Sequence, residues 1–165
     1  MAVPAALAVG ALLAGCGDGG GKKQQVPAGS LVTGPGFTYE APSDWKATVS
    51  ARAAEAKRDE VTLVSVTVLP LTREYRASLF PRVAPGLDEV ADQVGRRLHG
   101  AVTARRTVIV AGGRVRQYEI AHGDLVDRLT FVLRGKLEFL LTCRWRKPNG
   151  EPAACGQLES SFRIR

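Results

Sequence analysis

From residue 137 the chain reads LEFLLTCRW, in which Leu137, Phe139, Leu141, Cys143 and Trp145 fall on one parity, opposite Lys136, Glu138, Thr142 and Arg144. A period of two places successive side chains on opposite faces of a strand, so this segment has one apolar and one polar face. Strands patterned in this way belong to antiparallel sheets, and their apolar face has to be covered by another layer. The segments before it repeat the pattern. Leu125 to Arg134 carries Leu125, Leu129, Phe131 and Leu133 on one face with Asp127 among them, and Gly135-Lys136 reads as the turn between the two strands. Further upstream, Arg106 to Val110 and Arg114 to His122 form a strand pair around Gly112-Gly113, and Gly123-Asp124 supplies the next turn.

Two further stretches complete the expected domain. Val61 to Leu69 (VTLVSVTVL) is rich in β-branched residues and alternates, with Val64, Val66 and Val68 on one face. Leu87, Val90, Ala91, Val94 and Leu98 repeat at helical spacing and predict an amphipathic helix ended by Gly100. Asp88 and Glu89 then fall in its first turn and Arg96 and Arg97 in its last, in keeping with the helix dipole. Phe37 to Tyr39 begins the ordered part as a short strand, Ala41 to Trp45 turns, and Pro152 to Phe162 closes the chain as a short helix. The expected class is α+β: an antiparallel sheet with helices packed on it.

The other end of the chain differs in kind. Residues 2–15 are almost wholly Ala, Val, Leu and Gly without charge, too short a run for a membrane span of about 20 residues. The run fits the apolar region of a secretory signal with a small-residue cleavage zone. Leu13-Ala14-Gly15-Cys16 resembles the bacterial lipobox, which implies diacylglyceryl transfer to the Cys16 thiol and cleavage ahead of it. The basic residues that normally precede such a run are absent, which points to a start upstream or a misassigned start codon. Residues 17–36 (GDGGGKKQQVPAGSLVTGPG) have the composition of a flexible tether, reaching about 25 Å as a random coil. The expected organisation is therefore a signal peptide over 1–15, a lipidated cysteine and tether over 16–36, and a folded domain over 37–165. The expected location is the extracytoplasmic face of the cell membrane, held to the lipid bilayer through acylated Cys16.

Cysteine arithmetic bears on the same point. With Cys16 acylated, Cys143 and Cys155 remain as an even pair in a compartment that permits disulfides. They read either as a bridge pinning the last helix onto the last strand or as two reduced buried thiols.

The chemistry-bearing residues are sparse. His99 ends the helix and His122 ends a strand; no G-x-S-x-G elbow accompanies His122 and Asp124, and two distant histidines do not make a metal site. Asp127, on an apolar face, reads as a charge satisfied near a sheet end by an arginine such as Arg116, or as a functional carboxylate in a pocket. Gly112-Gly113 reads as a hairpin turn, since no phosphate-loop lysine follows it. The +7 net charge is spread over scattered arginines (Arg52, Arg58, Arg73, Arg76, Arg82, Arg105, Arg128, Arg134), a solvated basic surface or one weakly drawn to anionic envelope components. Nucleic-acid motifs are absent. No catalytic residues, cofactor or metal are expected.

Four cues recur together: F-x-Y-x-x-P-x-x-W at Phe37 to Trp45, the mid-chain helix, the Gly-Gly strand pair, and S-F-R-I at Ser161 to Ile164. In combination the layout resembles the α/β/α sandwich of the PsbP family and the DcrB-like and actinobacterial lipoproteins that share it. The resemblance spans about residues 36–165. It implies an accessory or partner-binding domain without a shared catalytic site, facing an envelope protein or polymer. The alternative is a carrier or sensor holding a small apolar ligand between sheet and helix, beside Leu129, Phe139 or Val94. The photosynthetic role of the family does not follow, because nothing in the sequence indicates a manganese-cluster partner.

Overall fold

The computed structural model describes residues 29–165. Cys16, its neighbours Leu13, Ala14 and Gly15, and residues 17–28 of the expected tether lie outside the described residues. The chain runs β1 (Gly29–Gly34), β2 (Phe37–Pro42), β3 (Lys46–Val49), β4 (Ala53–Lys57), β5 (Leu63–Tyr75), α1 (Phe80–Arg97), β6 (Ala101–Val110), β7 (Gly113–His122), β8 (Leu125–Arg146), α2 (Ala153–Ser161) and β9 (Arg163–Ile164). Six strands form an antiparallel sheet in the order β3-β4-β5-β8-β7-β6, and β1-β2-β9 form a smaller one.

The two faces of the large sheet are buried differently. On one face the small sheet and α2 enclose an apolar core built on Phe37, Tyr39, Val64, Val66, Phe139, Leu141, Trp145, Leu158 and Phe162. On the other, α1 lies over Tyr118, Ile120, Leu129 and Phe131 and contributes Leu87 and Ala91. The α+β class and the layered arrangement expected from the alternation are therefore present. Cys143 and Cys155 are joined in a disulfide with Cα atoms 5.5 Å apart, fastening α2 to β8.

Three expectations change. The segment around Gly135-Lys136 is not a turn. Strand β8 continues through it for 22 residues, pairing with β7 along Leu125 to Phe131 and with β5 along Gly135 to Arg144. Val132 and Phe139 are an odd number of residues apart, yet both enter the core beneath α2, and Leu133 and Leu140 both pack under α1. Gly135, at φ +56°, absorbs the switch of face that this requires. On β5 the register slips between Pro70 and Tyr75, so residues 71–74 bulge away from β8.

Residues 29–34, expected from composition to be part of a tether, form a strand. Gly29–Gly34 pairs with β2, Val32 is buried opposite Tyr39, and Gly34 lies so close to the Phe37 ring that a Cβ would meet it at 2.1 Å. Gly29–Gly34, expected to lie outside the folded part, is thus paired into the small sheet. One buried valine and a strand edge to pair with suffice to order a glycine-rich segment that could not fold alone.

Helix α1, finally, starts at Phe80, with Pro81 in its first turn and Pro85 inside it. Asp88 and Glu89 therefore sit at its middle, and Val90, at 41% exposed, lies outside the buried stripe of Phe80, Leu87, Ala91 and Gly95. The helix closes in a Schellman arrangement, the Gly100 N–H donating to Gly95 O and the His99 N–H to Arg96 O. His99 takes the left-handed position at φ +53°. Gly100 is needed one residue later for space, since a Cβ there would stand 2.3 Å from the Ala121 carbonyl oxygen.

Candidate functional site

The sequence-marked polar residues gather at one end of β7, next to the C-terminus of α1. Asp127 is 3% exposed. Its Oδ1 accepts from Arg144 Nε at 2.5 Å and its Oδ2 from Arg144 Nη2 at 2.8 Å, while His122 Nε2 lies 3.0 Å from Oδ2. Arg144, not Arg116, is thus the partner of Asp127: the face switch at Gly135 turns Arg144 onto the α1 side. Hydrogen bonding to Asp127 raises the Arg144 pKa against the opposing effect of burial. Among the described residues no serine, threonine or cysteine hydrogen-bonds His122; the three side chains tie the β7–β8 hairpin to the far half of β8. Asp124 lies apart from them, paired with Arg146.

Arg116 is used elsewhere. It binds Asp88 of α1, which also accepts from the Tyr118 hydroxyl at 2.8 Å. Burial works against the Asp88 charge, but the Arg116 and Tyr118 hydrogen bonds outweigh it and hold the carboxyl below its usual range. Beneath α2, Arg128 is 7% exposed and belongs to no scattered surface. It donates to Glu151 at 2.6 Å twice and to Glu119 at 2.8 Å, and stacks 5.5 Å from the Trp145 ring centroid. Glu159 completes this layer through Gln117, and burial pushes its pKa up. No sequence signal separated Arg128 from its exposed neighbours, because its parity alone does not reveal three carboxylates drawn from β7, α2 and the loop before α2.

The other end of the sheet has the opposite character. Arg58, Arg76, Arg105, Arg106, Arg116, Arg128, Arg144 and Arg146 each have a carboxylate partner. Arg52, Arg73, Arg82, Arg96, Arg97, Arg114, Arg134, Arg163 and Arg165 have none among the described residues, and five of these nine, Arg73, Arg82, Arg114, Arg134 and Arg163, line a run of neighbouring depressions. The first depression, about 300 Å³, lies under the start of α1 and is lined by Leu71, Tyr75, Leu79, Val83 and Leu133, with Arg73, Glu74 and Arg82. A second, about 290 Å³, shares Tyr75 and Leu133 with it and continues past Phe80, Val115 and Val132 to Arg114 and Arg134. A third adds Ile109, Glu159 and Arg163. The β5 bulge forms one wall and the β6–β7 turn another. That turn is Ala111-Gly112, both at positive φ, one residue earlier than the Gly112-Gly113 expected from sequence.

Two of these arginines are already oriented. The Arg114 guanidinium lies 4.8 Å from the Phe80 ring centroid, and Arg163 Nη1 donates to the carbonyls of Ser160 and Phe162 at 2.9 and 2.8 Å. The carboxylates nearby are engaged, Glu74 with Arg76 at 3.7 Å and Glu159 with Gln117. Leu129 and Phe139, expected beside any ligand cavity, are packed into the cores; the apolar lining centres on Leu133 instead. Among the described residues no cluster of three or more His, Cys, Asp or Glu could hold a metal ion, and no helix is long and apolar enough to cross a membrane.

Comparison with known proteins gives fold-level likeness. No family model matches the sequence, and no curated protein matches it either. Among solved structures it is similar to the solution structure of cyanobacterial PsbP (CyanoP) from Synechocystis sp. PCC 6803. That likeness has a TM-score of 0.61 at 10% identity and covers 86% of this chain and 96% of that one. It is also similar to a protein from Bacteroides thetaiotaomicron VPI-5482, with a TM-score of 0.51 at 11% identity, covering 85% of this chain. The chain spans about half the length of the Bacteroides protein (49%). The fold is PsbP-like.

Proposed function

We propose that this chain is a lipid-anchored, extracytoplasmic accessory protein whose domain binds an anionic envelope partner at the arginine-lined end and catalyses no reaction. The observation that carries this reading is the convergence of five arginines without carboxylate partners on one set of connected depressions. Uncompensated guanidiniums gathered at a concave apolar surface favour an anion that brings its own apolar surface. The PsbP-like fold supports an accessory role, because proteins built on it share no catalytic site.

Anchoring rests on the sequence. The apolar run closes on Leu13-Ala14-Gly15-Cys16, and Cys16 is the thiol left over when Cys143 and Cys155 are bridged. Acylation would use that thiol, and an oxidising compartment accommodates the bridge. The chain enters the domain at Gly29, opposite Pro42, whereas the far end of β1 lies beside Phe37 and Ile164 near the depressions. Strand β1 therefore separates the entry point from the cleft by about 17 Å, at ~3.4 Å per residue, leaving the cleft open to a partner.

Cys16→Ser expressed from its own upstream sequence should move the protein from the membrane to the soluble fraction; retention in the membrane overturns the anchoring. The soluble form should co-sediment with isolated envelope at low salt. Replacing Arg73, Arg82, Arg114, Arg134 and Arg163 by Gln should abolish this. Undiminished sedimentation overturns the reading of the cleft.

A further inference from the structure

We propose that the pocket under the start of α1 binds a single-chain anionic amphiphile, with the chain against Leu71, Leu79, Val83 and Leu133 and the acid group on Arg73 and Arg82. The inference rests on the reading above only for the sign of the partner's charge; the apolar chain is argued from the pocket itself.

The pocket forms where a backbone irregularity meets an apolar side chain. The β5 register slip lifts residues 71–74 off the sheet, and Leu133, on the same face of β8 as Leu129 and Phe131, points beneath α1. Leu79, just before α1, and Val83 in its first turns then bridge the gap from above. The result is a space of about 300 Å³ whose walls are apolar and whose polar groups stand at the rim. Its residues are only partly buried, so filling it removes apolar surface from water at little structural cost.

Size and charge then select the ligand. Ligand pockets run from about 300 to 1,000 Å³, so this one sits at the small end and takes one medium-length chain, not a two-chain lipid. Glu74 is the carboxylate at the rim, 3.7 Å from Arg76 in an exposed pair, and Arg73 and Arg82 carry no carboxylate partner among the described residues. The shared chemistry is a carboxylate or phosphate monoester at the head of one aliphatic chain. A longer chain has a continuation past Tyr75 and Leu133 into the neighbouring depression.

The test is calorimetric titration of the full-length Cys16→Ser protein with dodecyl phosphate, dodecanoate, dodecanol and inorganic phosphate below micellar concentrations. A parallel arm uses phosphatidylglycerol vesicles. Binding of either charged amphiphile, about tenfold or more tighter than dodecanol, supports the proposal; the two charged probes tell a phosphate ester from a free fatty acid. Affinity should rise by up to about fourfold per added methylene until the pocket is full. Val83→Trp fills the pocket without changing charge and should abolish binding. Leu71→Trp, on the exposed bulge, serves if that variant does not fold. The double variant Arg73→Gln with Arg82→Gln should weaken the charged probes about tenfold and leave dodecanol unchanged.

Equal binding of dodecanol and dodecyl phosphate, binding of inorganic phosphate alone, or binding to vesicles without binding to monomeric amphiphile would each overturn the proposal. Failure here leaves its own signature. Envelope sedimentation would still depend on the arginines while Val83→Trp had no effect, whereas failure of the earlier reading removes the arginine dependence itself.

Discussion

Gly135 tests how strand β8 serves two cores. At φ +56° it occupies the left-handed region, and a Cβ added there would meet nothing within 4 Å. Substitution therefore introduces no clash, and its cost is conformational. An L-residue forced into this region loses roughly 1–2 kcal/mol, Asn less, and a β-branched residue more. The expected order of stability is Gly, then Asn, then Ala, then Val. With a urea m-value of about 1–3 kcal/mol/M, Gly135→Ala should lower the unfolding midpoint by about 0.3–2 M at unchanged m. Gly100 is the contrast: its φ lies outside the left-handed region, but a Cβ there would overlap the Ala121 carbonyl oxygen at 2.3 Å and His122 Cβ at 2.7 Å. Gly100→Ala should cost about 1–3 kcal/mol by forcing backbone apart, and Asn should be no better than Ala. If Gly135→Ala proved neutral, or Gly135→Asn as costly as Gly135→Val, the left-handed kink would be wrong. The account of how Val132 and Phe139 reach one core would fall with it.

Further outcomes follow from the buried polar groups and the bridge. Asp127→Asn should destabilise by about 3 kcal/mol by chemical denaturation, the low end of the range for breaking a buried pair, because Arg144 is 34% exposed and reaches water. Removing the Cys143–Cys155 bridge by double alanine substitution should cost about 3 kcal/mol on the chain-entropy account, a fall in Tm of roughly 10 °C in a thermal melt. Asp88 has its folded-state pKa depressed, so its contribution is complete above about pH 4 and is lost as pH falls through the folded value. In acid titrations followed by circular dichroism, Asp88→Asn should flatten that part of the unfolding limb and leave neutral-pH curvature unchanged.

The legible part of the fold was the part governed by local periodicity. Alternation in Leu137 to Trp145 and the helical stripe through Leu87, Ala91 and Val94 each state which face is buried, because burial imposes the same period as the backbone. Those patterns, with the turn residues, sufficed for an α+β layered domain with Cys143 on its core side. They failed at Gly135, where glycine signals either a turn or a kink within a strand, and strand pairing from β5 and β7 selects between them. They failed at Gly29 to Gly34, where glycine content implied a tether and one buried valine with a paired edge ordered it.

The cleft belongs to the second category. Charge and arginine content were fixed by composition, and the sequence showed those arginines only as scattered along the chain. Which of them keep carboxylate partners is decided by long-range geometry: Arg144 meets Asp127, Arg116 meets Asp88 and Arg128 is drawn inside. Among those left without one, Arg73, Arg82, Arg114, Arg134 and Arg163, on β5, α1, β7, β8 and β9, line the depressions. Sequence alone determined the layered class and the odd cysteine count, since both follow from the residues themselves, whereas the Cys143–Cys155 bridge is a tertiary contact. Tertiary structure alone decided that these five charges share one end with an apolar pocket, because only strand pairing brings such distant positions together.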